Sequence, residues 1–315
     1  MGQPKRPRFG SLQYWPRKRV TKAIPRVNWE MVKAKEDGLM GVIAYKAGMG
    51  TVIVRDKTDK SMTSGKKIAL PVTVLEVPAF KIYSVRFYKN GIVMKDVIVS
   101  SDKFLKRVVK APKKHHGHTE LDNVKGFDNI HVIIYPVFKD AFKKTPDLAE
   151  VSVQGADKLA VVKKMIDKEL HLKDVWNNWE LVDARGMTKG KGFSGPVARM
   201  GISLKAHKSE KGVRRPGSLG PWHPARVTFK APMAGQLGMF HRITYNSKVI
   251  GYGNSAETPY IANAHFKNYG LIRSGYVILV GSVQGPCKRQ ILLTPSMRPN
   301  KFSTKKKYEF VEAHI

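Results

Sequence analysis

Thirty-one of the chain's 57 Lys and Arg residues fall in four stretches, 1–27, 103–118, 186–250 and 298–307, which share a single acid, Glu210. The remaining residues carry 26 bases against 23 acids. A stretch so one-sided in charge, with so little apolar periodicity, cannot bury a core of its own and stays unfolded until a polyanion neutralises it. Stretch 186–250 adds ten glycines and stretch 1–27 four prolines, which further oppose regular structure. The chain therefore divides into a nearly neutral body and basic extensions. With 42% hydrophobic and 9% aromatic residues in 315, the body has enough apolar material for a true core.

Where the +33 net charge sits also separates possible partners. A DNA-binding domain concentrates its bases on one face or one recognition helix. A membrane-surface protein places them on an amphipathic helix or beside a lipid anchor. Long Gly- and Pro-rich basic segments instead suit folded RNA, where glycine lets the backbone approach closely and Lys and Arg neutralise phosphates. No run approaches the roughly 20 apolar residues of a membrane helix, and no apolar segment follows the basic residues 1–8, so a secretory signal is not expected. The lone Cys287 excludes an intrachain disulfide framework and a cysteine-based zinc cluster, and fits a reducing compartment.

Along the body, residues 39–54 (LMGVIAYKAGMGTVIV) predict two short strands around a Gly turn. Strands are also predicted over 66–77, with Pro71 marking an edge or bulge, over 80–88, and over 131–138. Leu159, Val162, Met165, Ile166 and Leu170 recur at helical spacing, opposite Lys163, Lys164 and Lys168, and predict an amphipathic helix packed on a sheet. WELVDARG after Trp176 reads as a strand; pattern then gives way to glycine and charge until about Phe240. Strand signals resume over 242–253 and run on to Pro295.

Several short motifs invite other readings. GKGFSG at 190–195 satisfies G-x-G-x-x-G, but a dinucleotide site needs a helix opening directly after it and an acid about 20 residues on. Pro196, Gly201 and the absence of an apolar stripe argue against that helix, and the nearest acid, Glu210, is too close. HHGH at 115–118 offers metal ligands, but Lys113 and Lys114 oppose a cation and no carboxylate or cysteine completes a set, so phosphate contact or solvation is the reading. Lys288 and Arg289 flank Cys287, whose default role is a packed or phosphate-adjacent thiol. No catalytic acid pair, nucleophile elbow or zincin helix is present. In PGSLGPWHPARV, 216–227, Trp222 and His223 stand between prolines. They either anchor the loop on the protein's own body or present a rigid aromatic for a base or backbone to stack on.

Five strings, in order, resemble one family. FGSLQYWPRKR (9–19), VDARGMTKGKGFSG (182–195), GPWHPARV (220–227), AGQLGMFHRITYNSKVIGYG (234–253) and GPCKRQILLTPSMR (285–298) are similar to stretches of the universal large-subunit ribosomal protein L3 family, archaeal in type. The resemblance implies a translation-factor-like β-barrel bound to large-subunit rRNA and joining early in subunit assembly. It also implies a central extension that reaches toward the peptidyl transferase centre, with Trp222 and His223 at its tip. HKSEKG at 207–212 departs from the basic stretch of eukaryotic members, so their histidine modification is not carried over.

The resulting expectation is a mainly β chain with an α+β insertion. It has a basic N-terminal extension (1–37), a barrel from 38–78 and 251–297 with a strand at 177–185, and an inserted α/β domain (79–176). A Gly/Lys/Arg-rich extension (186–250) and a basic C-terminal tail (298–315) complete it. The residues expected on rRNA are Arg17, Lys18, Arg19, Lys113, Lys114, Lys189, Lys191, Arg199, Arg214, Arg215, Arg226, Arg242, Lys288, Arg289 and Arg298. Expected partners are large-subunit rRNA and neighbouring large-subunit proteins in the cytoplasmic ribosome, with no membrane, cofactor or small-molecule substrate. The alternatives are another basic RNA- or DNA-binding protein and a nucleic-acid-modifying enzyme.

Overall fold

The computed structural model describes residues 8–33, 36–110, 117–138, 142–176, 178–258, 261 and 263–314. The chain is mainly β and forms two compact units, one from 23–186 with 242–315, the other from 1–22 with 187–241.

The first unit holds two sheets. The larger contains β2 (Val42–Asp56), β3 (Lys67–Val77), β8 (Leu181–Met187), β11 (His241–Asn254), β12 (Gly275–Val280), β13 (Gln290–Pro295) and β14 (Tyr308–His314), in the order β13-β8-β11-β12-β3-β2-β14. Because β13 pairs with β2 as well as β8, six strands form a closed hydrogen-bonded ring, and β14 adds to the outside of β2. Closure removes the sheet edges that would otherwise invite aggregation. The smaller sheet runs β1-β7-β6-β4-β5, from β1 (Gly38–Leu39), β4 (Phe80–Lys89), β5 (Ile92–Ile98), β6 (Asn129–Pro136) and β7 (Ala149–Gln154). Short helices α1 (Gly117–Asp122), α2 (Lys158–Met165) and α3 (Leu172–Val175) accompany it. α2 starts where the Asp157 carboxylate accepts from the N–H groups of Leu159 and Ala160, an N-cap that satisfies two otherwise orphaned donors.

One hydrophobic core joins both sheets, with Tyr45, Phe80, Phe87 and Ile134 fully enclosed. Each such side chain contributes roughly 1.5–3 kcal/mol by leaving water. Tyr45 packs against Phe138 and Phe142 and donates from its hydroxyl to Asp147 at 2.6 Å. Buried charges in this unit are satisfied by backbone and hydroxyl partners. Lys46 Nζ donates to the Val283 and Gly285 carbonyls at 2.6 and 3.3 Å. Asp183 accepts from the N–H groups of Asn246 and Met297 at 2.9 and 3.0 Å. Burial pulls the Arg185 guanidinium below its ordinary range, Asp183 opposing, and Arg185 Nε donates to Thr294 Oγ1.

Several expectations change. Residues 39–54 are not two strands around a turn: β2 runs unbroken through Gly48, which pairs with Val74 directly after a bulge at Ala47. Any Cβ at Gly48 would lie 2.4 Å from the Phe266 ring, so packing and not turning explains the glycine. The 298–315 tail is folded, as helix α5 (Lys301–Lys305) and strand β14. Asn300 caps α5, and the alternation of YEFVEAH lets β14 complete the ladder of β2. The N-terminal extension is shorter than 1–37, since Trp29 and Val32 are buried in the core. The central extension ends nearer residue 240, because β11 begins at His241. Pro71 lies inside β3, but at the point where the β12 ladder stops at Val72, and the Gly281 N–H donates to the Pro71 carbonyl, so the missing donor is not needed.

The second unit is largely irregular. Its regular pieces are β9 (Phe193–Ser194) paired with β10 (Gly235–Gln236), and α4 (Pro196–Met200). A helix does therefore open after GKGFSG, contrary to expectation: proline is tolerated at its first position and Gly201 ends it at φ 72°.

Candidate nucleic-acid interface

The central arm leaves and returns through a narrow neck. Thr188 N–H donates to the Phe240 carbonyl at 3.0 Å, and Phe240 N–H to Thr188 Oγ1 at 3.2 Å. Lys191 N–H donates to Leu237 and Leu237 N–H to Gly192. Gly238 sits at φ +76°, where a Cβ would fall 2.0 Å from the Lys189 carbonyl oxygen, so no side chain is accommodated there.

Two arginines expected on RNA make hydrogen bonds inside this unit. Arg17 donates to the Ser11 and Arg199 carbonyls at 2.9 and 3.4 Å. Arg199 donates to Gln236 and Met233, both at 3.0 Å, and both guanidiniums lie about the Trp15 ring. Burial, then the charge of Arg17, lowers the Arg199 pKa. Together they strap the N-terminal segment to the arm's base.

Beyond the base the arm is open. Lys18, Arg19, Lys189, Lys191, Arg214, Arg215 and Arg226 are exposed. Gly195 and Gly217 have ordinary φ and nothing within 4 Å of where a Cβ would stand. Among the described residues neither conformation nor packing requires glycine at these two positions, whereas close approach by another backbone would. Trp222 is 88% exposed and His223 is exposed beside it, so Trp222 does not anchor the loop on the protein. Phe193, which the sequence reading passed over, is 82% exposed; no periodicity marks a lone aromatic among glycines.

In the first unit Lys288 and Arg298 are exposed, while Arg242 and Arg289 are half-buried. Burial lowers the Arg289 pKa, and its Nε is enclosed without a hydrogen-bond partner among the described residues. Lys288 Nζ stands 6.0 Å over the Phe142 ring. Lys113 and Lys114 lie outside the described residues.

An arm with a single acid, Glu210, open glycines and an exposed tryptophan has the charge and surface that suit a nucleic-acid-binding class of protein. The ribosomal protein L3 family model matches residues 1–95 and 83–314. The chain is 37% identical to the large ribosomal subunit protein uL3 of Methanocaldococcus jannaschii over 93% of this chain and 92% of that one. It is 37% identical to that of Methanococcus vannielii, covering 95% and 94%, and 35% identical to that of Methanobrevibacter smithii, covering 93% and 92%. The chain belongs to the ribosomal protein L3 family.

Proposed function

We propose that this protein is a structural constituent of the large ribosomal subunit, not an enzyme, and that it binds large-subunit rRNA through its arm and N-terminal segment. Gly195 and Gly217, open on a nearly acid-free arm, carry this reading: they leave room for a phosphodiester backbone where the protein itself fills none. The closed ring of strands serves as a translation-factor-like β-barrel, and 79–176 as an inserted α/β domain that meets neighbouring subunit proteins. Ordering the arm costs about 1–2 kcal/mol of backbone entropy per residue, which phosphate contact and counterion release must exceed. Arm ordering therefore coincides with RNA binding, and membership of the family implies that this happens early in assembly on the ribosome. At matched salt the purified chain is expected to bind large-subunit rRNA far more tightly than duplex DNA of equal length. Equal affinities would indicate a general polyanion binder instead.

The arm's tip, Trp222 with His223, approaches the peptidyl transferase centre in this reading. Trp222→Ala removes a side chain that touches little of its own protein, so stability should change by no more than about 0.5 kcal/mol. Subunits carrying the variant are expected to assemble normally but to show altered tRNA selection or altered response to inhibitors of peptide transfer. Translation indistinguishable from the parent would remove the tip from the catalytic centre.

A further inference from the structure

We propose that the tip of the β2–β3 hairpin and the α5–β14 turn form a pre-folded docking surface for the phosphodiester backbone of structured RNA, additional to the arm. The proposal rests on the ribosomal reading above but concerns a surface which that reading does not use. By charge count the hairpin belongs to the near-neutral body, and residues 298–307 belong to a tail; folding brings the two together.

The hairpin loop is built around one carboxylate. Asp56, only 4% exposed, accepts from Thr58 N–H at 2.8 Å, Ser61 Oγ–H at 2.9 Å and Thr63 Oγ1–H at 2.5 Å. Its own N–H donates to the Lys66 carbonyl, and Gly65 N–H returns to the Asp56 carbonyl at 2.7 Å. These hydrogen bonds, from Thr58 first and then Thr63, hold the Asp56 carboxyl far below the usual carboxylate range, so the latch stays closed at physiological pH.

Two backbone links attach the C-terminal turn. Lys57 N–H donates to the Lys307 carbonyl at 2.9 Å, and Lys307 N–H to Thr58 Oγ1 at 3.1 Å. Lys57, Lys60, Lys66 and Lys67 of the hairpin thus share one end of the sheet with Lys305, Lys306 and Lys307. Six are exposed, and Lys306 is held 4.4 Å over the Phe302 ring. The opposing carboxylates within 57–67 and 305–309 are Asp59, 3.9 Å from Lys307, and Glu309, 3.0 Å from Lys57. Both pairs are exposed and weak, and two acids leave most of the seven lysines uncompensated.

Lysines on a rigid support are point charges on flexible stems rooted at fixed positions, which suits them to a regular array of phosphates. A protein partner would need an apolar centre to the patch, and a membrane would need an amphipathic helix. The patch exposes two large apolar side chains, Met62 on the hairpin and Phe302 on α5, the latter covered by Lys306, and α5 has only five residues. Because the loop is latched before binding, this surface pays little ordering cost and can engage RNA before the arm does.

Lysine acetylation footprinting of the full chain with and without double-stranded RNA tests the proposal. Lys60, Lys66, Lys67 and Lys305 should lose at least about three-quarters of their reactivity at low salt, in the range expected for phosphate-paired amines. Protection of Lys189 and Lys191 with full reactivity at the hairpin would overturn this proposal and leave the arm's role intact. Absence of protection at both places would overturn both readings. The K60E/K66E/K67E variant should flatten the log–log salt dependence of RNA binding by roughly two to three, at roughly 0.9 per lost contact. Asp56→Ala keeps every lysine but opens the latch, and should lower hairpin protection while exposing Lys60 to trypsin. Unchanged protection in Asp56→Ala would refute the pre-folded character of the surface.

Discussion

Excising 189–239 and joining Thr188 to Phe240 through a short Gly-Ser linker is expected to leave a folded, soluble protein that no longer enters large subunits. The two joining residues already exchange hydrogen bonds of 3.0 and 3.2 Å, so a few linker residues close the gap without disturbing β8 or β11. The excised arm contributes almost nothing to the core shared by the two sheets. The thermal midpoint should therefore stay within about 4 °C of the parent, the shift that roughly 1 kcal/mol produces in a domain of this size. Segment 8–22 loses its partners at the neck, among them the Met239 carbonyl that accepts from Val20 N–H, and should become sensitive to proteases. A cut at 186 and 250 is predicted to behave differently. It removes Gly186, opposite Ile291 in β13, and Val249, opposite Leu279 in β12, and so opens the strand ring. Gradient profiles and thermal melts of the two deletions, side by side, check both parts. Normal subunits with the 189–239 deletion would contradict the arm's role.

The second large effect is expected at Glu76. Its Oε1 accepts from Arg273 N–H at 3.0 Å, Ser274 N–H at 3.2 Å and Ser274 Oγ–H at 2.8 Å, and its Oε2 accepts from the Tyr269 hydroxyl. The residue is 5% exposed. Burial first, and the Glu76 charge next, push the Tyr269 phenol well above its ordinary pKa, so Tyr269 is a committed donor. Glu76→Ala leaves these donors without an acceptor, and at about 1–3 kcal/mol for each buried group stranded the loss should reach about 3–5 kcal/mol. Glu76→Gln keeps one oxygen where the backbone donors converge and should lose only about 1–2 kcal/mol. Urea unfolding of the pair gives the comparison, with equal midpoints contradicting the assigned network.

Charge segregation was legible because the arm sequence itself holds a single acid, Glu210, with no structure needed to see it. The alternating and continuous apolar runs of 66–77, 80–88 and 131–138 appear as β3, β4 and β6, the last ending at Pro136, for the same reason: burial on a sheet is written in the local pattern. Features set by distant partners were hidden. Gly48 reads as a turn residue until Phe266, more than 200 positions away, is seen packing on it. The basic run 298–307 reads as a tail because the β2 edge that receives β14 is not visible in the tail. Arg17 and Arg199 carry the same charge as their exposed neighbours, and the Arg199 and Gln236 carbonyls that they bond lie too far along the chain to be read from the local sequence. Trp222 was legible as an exception, an aromatic between prolines in a glycine-rich arm, and its exposure follows from the lack of anything to bury it.

The direct measurement is sedimentation of the tagged chain with large ribosomal subunits through a high-salt wash. A protein whose arm has ordered within rRNA cannot leave by counterion exchange alone, so it should remain with the large subunit at one copy each, while loosely bound basic proteins are stripped. Recovery of the chain in the free fraction after the wash would contradict its place as a structural constituent of the subunit.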